Sequence, residues 1–252
     1  GMGPQWWAMG RELYATEPVY RQAVERADRA FARAAGFSIL ERMNADEAAS
    51  RMAANQVAQP ANFVLQVGLT ELLRSYGVAS DGILGHSVGE VAAAWAAGCL
   101  TLEQAAALTY QRSRIQQAIA GRGTMLAAAI SADEAQRLIA STPSVAIAAF
   151  NAPTSVALAG EPLGLQRIAR ELDGRGVFNR MMPVEVAYHS PQMEPLRPEM
   201  LRAFAFLTPR EPVRPLFSTV RGARVDGACH DAEYFWQNAR QVDSRLCIRV
   251  AG

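Results

Sequence analysis

Apolar residues recur at helical spacing from Arg11 to Ala35, and Pro18 divides that stretch into two predicted helices. Asp46 to Ala54 reads as a short helix. Gln59-Pro60 reads as the start of the next one, with proline at the first helical position. Phe63, Val64, Val67, Leu69 and Leu72 mark its buried face. A short apolar run, Ile83-Leu84, precedes a glycine-rich hexapeptide, and an Ala-rich helical stretch from Val91 to Ala97 follows it. Leu102 to Ala120 is again helical. From Thr124 the texture changes. Met125–Ile130, Val145–Phe150, Ser155–Ala159 and Val177–Met182 read as strands, and Ala132–Ala140 and Leu163–Leu172 read as helices. The order β-α-β-β-α-β is the ferredoxin-like arrangement, here a subdomain of roughly 60 residues. The predicted division is a larger α/β part, residues 1–123 and 190–252, with the smaller part, 124–189, inserted into it. Ser190-Pro191 supplies an N-cap and a first-turn proline for a helix from Gln192 to Phe204. A strand over Pro215–Val220 and an aromatic helix around Tyr234–Asn238 complete the reading.

Composition narrows the chemistry. The 252 residues are 50% hydrophobic and 19% charged, enough for a sizeable core. A net charge of +1 gives no electrostatic case for nucleic acid or an anionic membrane. No apolar run approaches a membrane span. Cys99, Cys229 and Cys247 show no paired spacing and fit a reducing, cytoplasmic compartment. The basic residues are all arginine, so Schiff-base chemistry and a phosphate-loop lysine are both absent. No His, Cys and Asp cluster has metal-ligand spacing, so no metal is expected.

Gly85-His86-Ser87-Val88-Gly89-Glu90 matches G-x-S-x-G, the sharp strand-to-helix turn of a nucleophilic serine. A serine in that turn has a strained backbone, so its close neighbours must lack a Cβ. Its hydroxyl stands at a helix N-terminus, where peptide N–H groups favour negative charge. An ordinary turn with serine as N-cap is the plain alternative. A nucleophilic serine needs a base. His86 leaves the turn on another side and reads as support. His230, in a polar turn, reads as a surface residue. His189 lies at the subdomain junction, just before a helix start, where ligand sites concentrate. A structural histidine remains open there on pattern alone. Gln59, at the N-terminal edge of its helix, can point into a cleft, with a local cap bond as its plain alternative, and Arg112 on its helical stretch reads as a solvated surface arginine.

Taken together, Gly1–Trp6, Gln59-Pro60-Ala61, Gly85–Glu90, Tyr110–Arg114 and Ala187–Ser190 resemble the acyltransferase domain of modular polyketide synthases. They are similar also to malonyl-CoA:acyl carrier protein transacylases. The resemblance implies an α/β-hydrolase-like core with a ferredoxin-like subdomain. It implies a Ser87–His189 dyad, the histidine oriented by the backbone carbonyl of Asn238. Val88 and Met2 are implied as donors of the oxyanion-hole N–H groups, and Arg112 as the partner of the substrate's free carboxylate. Gln59, Val186 and Tyr188 are implied to line the acyl pocket.

The reaction so implied moves a malonyl-type unit from its CoA thioester to Ser87, and then to the phosphopantetheine thiol of an acyl carrier protein. No bound cofactor is implied, and a ketosynthase and other synthase domains are implied as neighbours in the same polypeptide. Tyr188 beside His189 crowds an α-branch and, with Val88 in the elbow, points to malonyl. Val186, smaller than the residue usual there, leaves larger substituted malonyl units open. After Arg240-Gln241 the sequence departs from the family pattern. Two other readings remain. One is a serine hydrolase or thioesterase whose third member is Asp173 or Glu185. The other is a docking domain without activity.

Overall fold

The computed structural model describes residue 3 and residues 5–244. In chain order the larger part begins with helices α1 (Arg11–Thr16), α2 (Pro18–Ala35), α3 (Ile39–Met43) and α4 (Asn55–Ser75). Strand β1 (Ile83–Leu84), α5 (Gly89–Ala96) and α6 (Leu102–Gln117) follow. The smaller part runs through β2 (Thr124–Ala128), α7 (Ala132–Ala140), β3 (Val145–Ala152), β4 (Ser155–Gly160), α8 (Pro162–Gly174) and β5 (Asn179–Met181). A 3-10 turn at Pro191–Leu196 then leads to α9 (Arg197–Phe204), β6 (Leu216–Ser218), β7 (Ala223–Arg224), α10 (Ala232–Arg240) and β8 (Asp243–Ser244).

Two hydrophobic cores divide the molecule. The larger joins α2, α4, α5, α6, α9 and α10 through residues such as Phe31, Phe63, Val91, Leu108, Phe204 and Phe235. Its short sheet has the order β1-β6-β7, with β1 and β6 parallel. The smaller core lies between a five-stranded sheet and the helices α7 and α8, and contains Leu126, Leu138, Leu158, Leu165 and Ile168. The sheet order is β5-β2-β4-β3-β8. Strand side chains alternate between faces. On β4, Val156 and Leu158 enter the small core, while Ala157 and Ala159 join the large one. Small side chains on that face let the sheet lie close against the larger part.

Local signals set most element ends. Pro18 opens α2, and Gly36, at φ 78°, closes it. Thr101 and Gln104 form a reciprocal capping box at α6. Three expectations fail. The helix expected over Gln192–Phe204 begins as the 3-10 turn at Pro191–Leu196. The stretch 46–54 contains only a 3-10 turn at Glu47–Ala49, and α4 starts at Asn55, so Pro60 lies inside the helix. The residues before Pro60 stay helical because Val57, Ala58 and Gln59 are already buried in the core, which offsets one missing backbone bond. Leu69, expected inside, is exposed, while Phe63, Val64, Val67 and Leu72 are buried as expected. Among the described residues no helix is long and apolar enough to cross a membrane.

Gly68 marks the closest approach of α4 to α2. A Cβ there would stand 2.5 Å from the Tyr20 ring and 2.7 Å from a Val24 methyl. Gly68→Val is therefore expected to destabilise the fold by about 2 kcal/mol, since overpacking outweighs the gain in helix propensity. Urea unfolding checks this, and parental stability in the variant would show that the two helices can part freely.

Candidate active site

The site is built around the elbow between β1 and α5. Ser87 has φ 54°, a left-handed backbone that non-glycine residues rarely adopt. The turn is closed by Gly89 N–H donating to the His86 carbonyl at 2.9 Å and Glu90 N–H donating to the Ser87 carbonyl at 3.0 Å. A Cβ on Gly85 would lie 2.4 Å from the backbone of Glu90 and Gly89, so glycine is required there. Val88 is buried at the N-cap of α5, where backbone N–H groups lack intrahelical acceptors. Met2, expected as the second oxyanion donor, lies outside the described residues.

The loop after β5 carries His189, which is also left-handed, at φ 58°. Its Nε2 is 2.9 Å from Ser87 Oγ, and its Nδ1 is 2.9 Å from the backbone carbonyl of Gln241. A carbonyl only accepts, so Nδ1 carries the proton. Nε2 of the neutral ring is then an acceptor, and Ser87 Oγ–H donates to it. The orienting carbonyl was expected at Asn238. That residue sits in the last turn of α10, whereas Gln241 is the extended residue after it, at ψ 158°, with its carbonyl turned out of the helix. Asn238 contributes its side chain instead. Nδ2 donates to the Ser87 carbonyl at 3.1 Å, and Oδ1 accepts from Arg112 Nη2 at 3.4 Å.

Arg112 comes from α6 and is 1% exposed. Nη1 donates to Gln59 Oε1 at 2.6 Å and to Gln116 Oε1 at 3.4 Å, and Nη2 lies 3.5 Å from Ser87 Oγ. Gln59 Nε2 in turn donates to Asn55 Oδ1 and to Gln116 Oε1, each at 2.6 Å. Asn55 Oδ1 also accepts from the Tyr188 hydroxyl at 2.6 Å. Burial pushes the Tyr188 phenol up to about 12, against the pull of the Arg112 charge, so it stays a neutral donor. Val186 is buried, and its carbonyl accepts from the Tyr188 N–H at 3.0 Å. Asn55, Gln116 and Gln241 escaped the sequence reading. A signal existed for two of them, because Asn55 and Gln59, and Arg112 and Gln116, are polar pairs four residues apart on apolar helices.

The remaining histidines and acids fall elsewhere. His230, expected at the surface, is buried, with its ring centroid 4.3 Å from that of Tyr234. The aromatic helix α10 closes over the polar turn and takes His230 into the core. Burial, followed by the charge of Arg221, lowers its pKa to about 4. Asp173 and Glu185, candidates for a third catalytic member, are both exposed, and Asp173 is engaged with Asn179 at 2.7 Å. The Gln241 carbonyl holds the position on Nδ1 that an acid would need. Among the described residues no group of three or more His, Cys, Asp and Glu side chains could hold a metal ion.

Known proteins resemble this chain in sequence and in fold. The family model of the acyl transferase domain matches residues 1–244. Polyketide synthase GfsE of Streptomyces halstedii is 37% identical over 248 residues, which covers 96% of this chain but 6% of that protein. The chain thus spans a small fraction of the curated relatives it matches. The acyltransferase domain from module 8 of the salinomycin polyketide synthase superposes with a TM-score of 0.94 at 35% identity, covering 100% of this chain and 60% of that one. The loading acyltransferase of the avermectin synthase gives 0.92 at 33%, covering 98% and 78%.

The buried His230 makes stability pH-dependent. The core holds its neutral form, so the unfolded chain binds the proton more tightly. This contribution is intact above about pH 6.5 and is lost as the pH falls toward 4, by about 3 kcal/mol in all. Urea unfolding at pH 7 and pH 4 is expected to show that loss in the parent and a clearly smaller one in His230→Asn.

Proposed function

This chain belongs to the acyl transferase domain family, and on that premise we propose that Ser87 accepts a malonyl-type acyl group from CoA and passes it to an acyl carrier protein. The observation that carries the reading is one oxygen with two neighbours. Ser87 Oγ lies 2.9 Å from the base His189 and 3.5 Å from the guanidinium of Arg112. His189 Nε2 takes the hydroxyl proton as Oγ attacks the thioester carbonyl. The tetrahedral oxyanion forms beside the Val88 N–H, with Met2 as the second donor by family resemblance, and this is the largest expected catalytic contribution. The C–S bond breaks, and the CoA sulfur leaves with the proton from His189. The phosphopantetheine thiol of the carrier protein then gives its proton to Nε2 and attacks the ester carbonyl. Ser87 leaves reprotonated. One thioester is exchanged for another, so the reaction needs no metal or nucleotide.

Arg112 selects the acid. Its planar fork can hold a carboxylate through two parallel bonds, which is strongest where water is excluded. An acetyl group has nothing to offer it. Gln59, Gln116 and Asn238 hold the fork in place. Tyr188, pinned through its hydroxyl to Asn55, fixes the pocket wall beside His189 and leaves little room for an α-branch, so malonyl is the extender we favour.

The architecture supports the same assignment. We read residues 1–123 and 190–242 as an α/β-hydrolase-like core, on the strength of the β1–elbow–α5 unit and the parallel pairing of β1 with β6; β8, expected in that part, pairs instead with β3 at the edge of the smaller sheet. Residues 124–189 read as a ferredoxin-like subdomain. In support, β2 pairs antiparallel with β4 and β5, and β4 with β3, in the order β5-β2-β4-β3. His189 comes from the junction of the two, so the cleft between them receives the substrate. The carrier protein is the partner this function requires, and a ketosynthase in the same polypeptide is the neighbour the family resemblance implies.

Mass spectrometry of the protein mixed with malonyl-CoA is expected to show a malonyl adduct that is absent in Ser87→Ala. No adduct on the parent would sink the proposal. Arg112→Ala is expected to lower malonyl loading about 100-fold or more, because a buried charge partner is lost, while acetyl loading is kept or rises. Equal losses for both acyl groups would mean that the arginine supports the fold rather than selecting substrate. With a panel of acyl-CoAs, faster loading of ethylmalonyl than malonyl would refute the crowding by Tyr188.

A further inference from the structure

The elbow contains a second buried ionisable group, Glu90, three residues after the nucleophile and 2% exposed. A buried carboxylate is retained only with good hydrogen-bond partners. Glu90 has them on two different elements. Oε1 accepts from the Thr219 backbone N–H at 2.6 Å and from the Thr219 hydroxyl at 2.5 Å, just after β6. Oε2 accepts from the hydroxyl of Tyr234 on α10, and that hydroxyl also lies 2.6 Å from Ser218 Oγ.

The tie to α10 matters because that helix carries the remaining supports of the site. One turn beyond Tyr234, Asn238 holds the Ser87 carbonyl and the Arg112 fork. Three residues further, Gln241 orients His189. A rotation or slide of α10 against α5 would therefore shift the base and the nucleophile relative to each other. Such a shift of about 1 Å can lower a rate about 100-fold.

We infer that Glu90 and Tyr234 form a positioning pair, locking α10 to the nucleophile elbow so that the Ser87–His189 distance is preserved. Neither touches the reacting atoms. The dipole of α5 favours the acid in the first turn, and Asp231 caps α10 through the Tyr234 N–H at 2.9 Å, so both ends of the tie sit at helix starts. The inference rests on Ser87 and His189 acting as the reactive pair, which the proposed function also requires.

The test uses Tyr234→Phe, Glu90→Gln and the double variant of the full chain. Two rates are read for each. One is acylation of Ser87 by malonyl-CoA across substrate concentrations. The other is phosphonylation of Ser87 by a fluorophosphonate, which needs the nucleophile and base but no acyl pocket. Tyr234→Phe, the conservative change, is expected to lower both maximal rates about 10-fold, with half-saturation by malonyl-CoA changed by less than about threefold, since Gln59 and Gln116 still hold the Arg112 fork. Glu90→Gln is expected to do at least as much. The double variant should be no slower than the slower single one, since one tie is broken in each. Parental maximal rates in Tyr234→Phe, with only a lower Tm, would overturn the inference, as would losses that multiply in the double variant. A parent that reacts with the phosphonate but not with malonyl-CoA would overturn the substrate assignment alone.

Discussion

One contact, between Ser87 Oγ and His189 Nε2, joins positions 102 residues apart, and both residues have left-handed backbones. Strain of about 1–3 kcal/mol is typical for each such residue and persists only where the surroundings over-determine it. The surroundings here are specific. Gly85 lets the elbow close against the start of α5, and the His189 N–H donates to the Ala239 carbonyl at the end of α10. The strain and its supports fall on three short segments, the elbow, the loop of His189 and the end of α10. The rest of the fold keeps those segments at a fixed separation.

Polar groups in the interior follow the same logic. Asn55, Gln59, Arg112, Gln116, Tyr188 and Asn238 are all buried. An unsatisfied polar group in such a place costs about 1–3 kcal/mol, and the network supplies partners for most of these groups, Gln116 Nε2 being left without one among the described residues. They come from α4, α6, the loop before the 3-10 turn, and α10. Amide acceptors hold the guanidinium rigidly without neutralising it.

The division into two cores explains where the cleft lies. The small sheet shows alanines to the larger part and branched side chains to its own helices. Its far end, after β5, returns the chain to α10 through His189. A base on this junction stands on the larger part's side of the hydrogen-bond network while it borders the smaller part. The small sheet also reaches the dyad, because β8, two residues after Gln241, pairs with β3.

Short-range physics made much of this readable from the residues alone. The elbow needs glycine within two residues of a strained serine, and G-x-S-x-G is the direct trace of that need. The strands and helices of 124–181 alternate with periods that a window of ten residues resolves, and helices α6 and α8 end within three residues of their expected limits. Three features were decided only in the folded molecule. Pro60 lies inside a helix because core contacts of the preceding turn outweigh a local preference. His230 is buried because α10 folds over a turn whose composition is that of a surface. Gln241 orients the base through a backbone carbonyl, a group that every residue carries and that no side-chain pattern can mark. Sequence determines which chemistry is carried and where the chain must turn sharply. Tertiary structure determines which main-chain atoms meet it, because that depends on where distant helices stop.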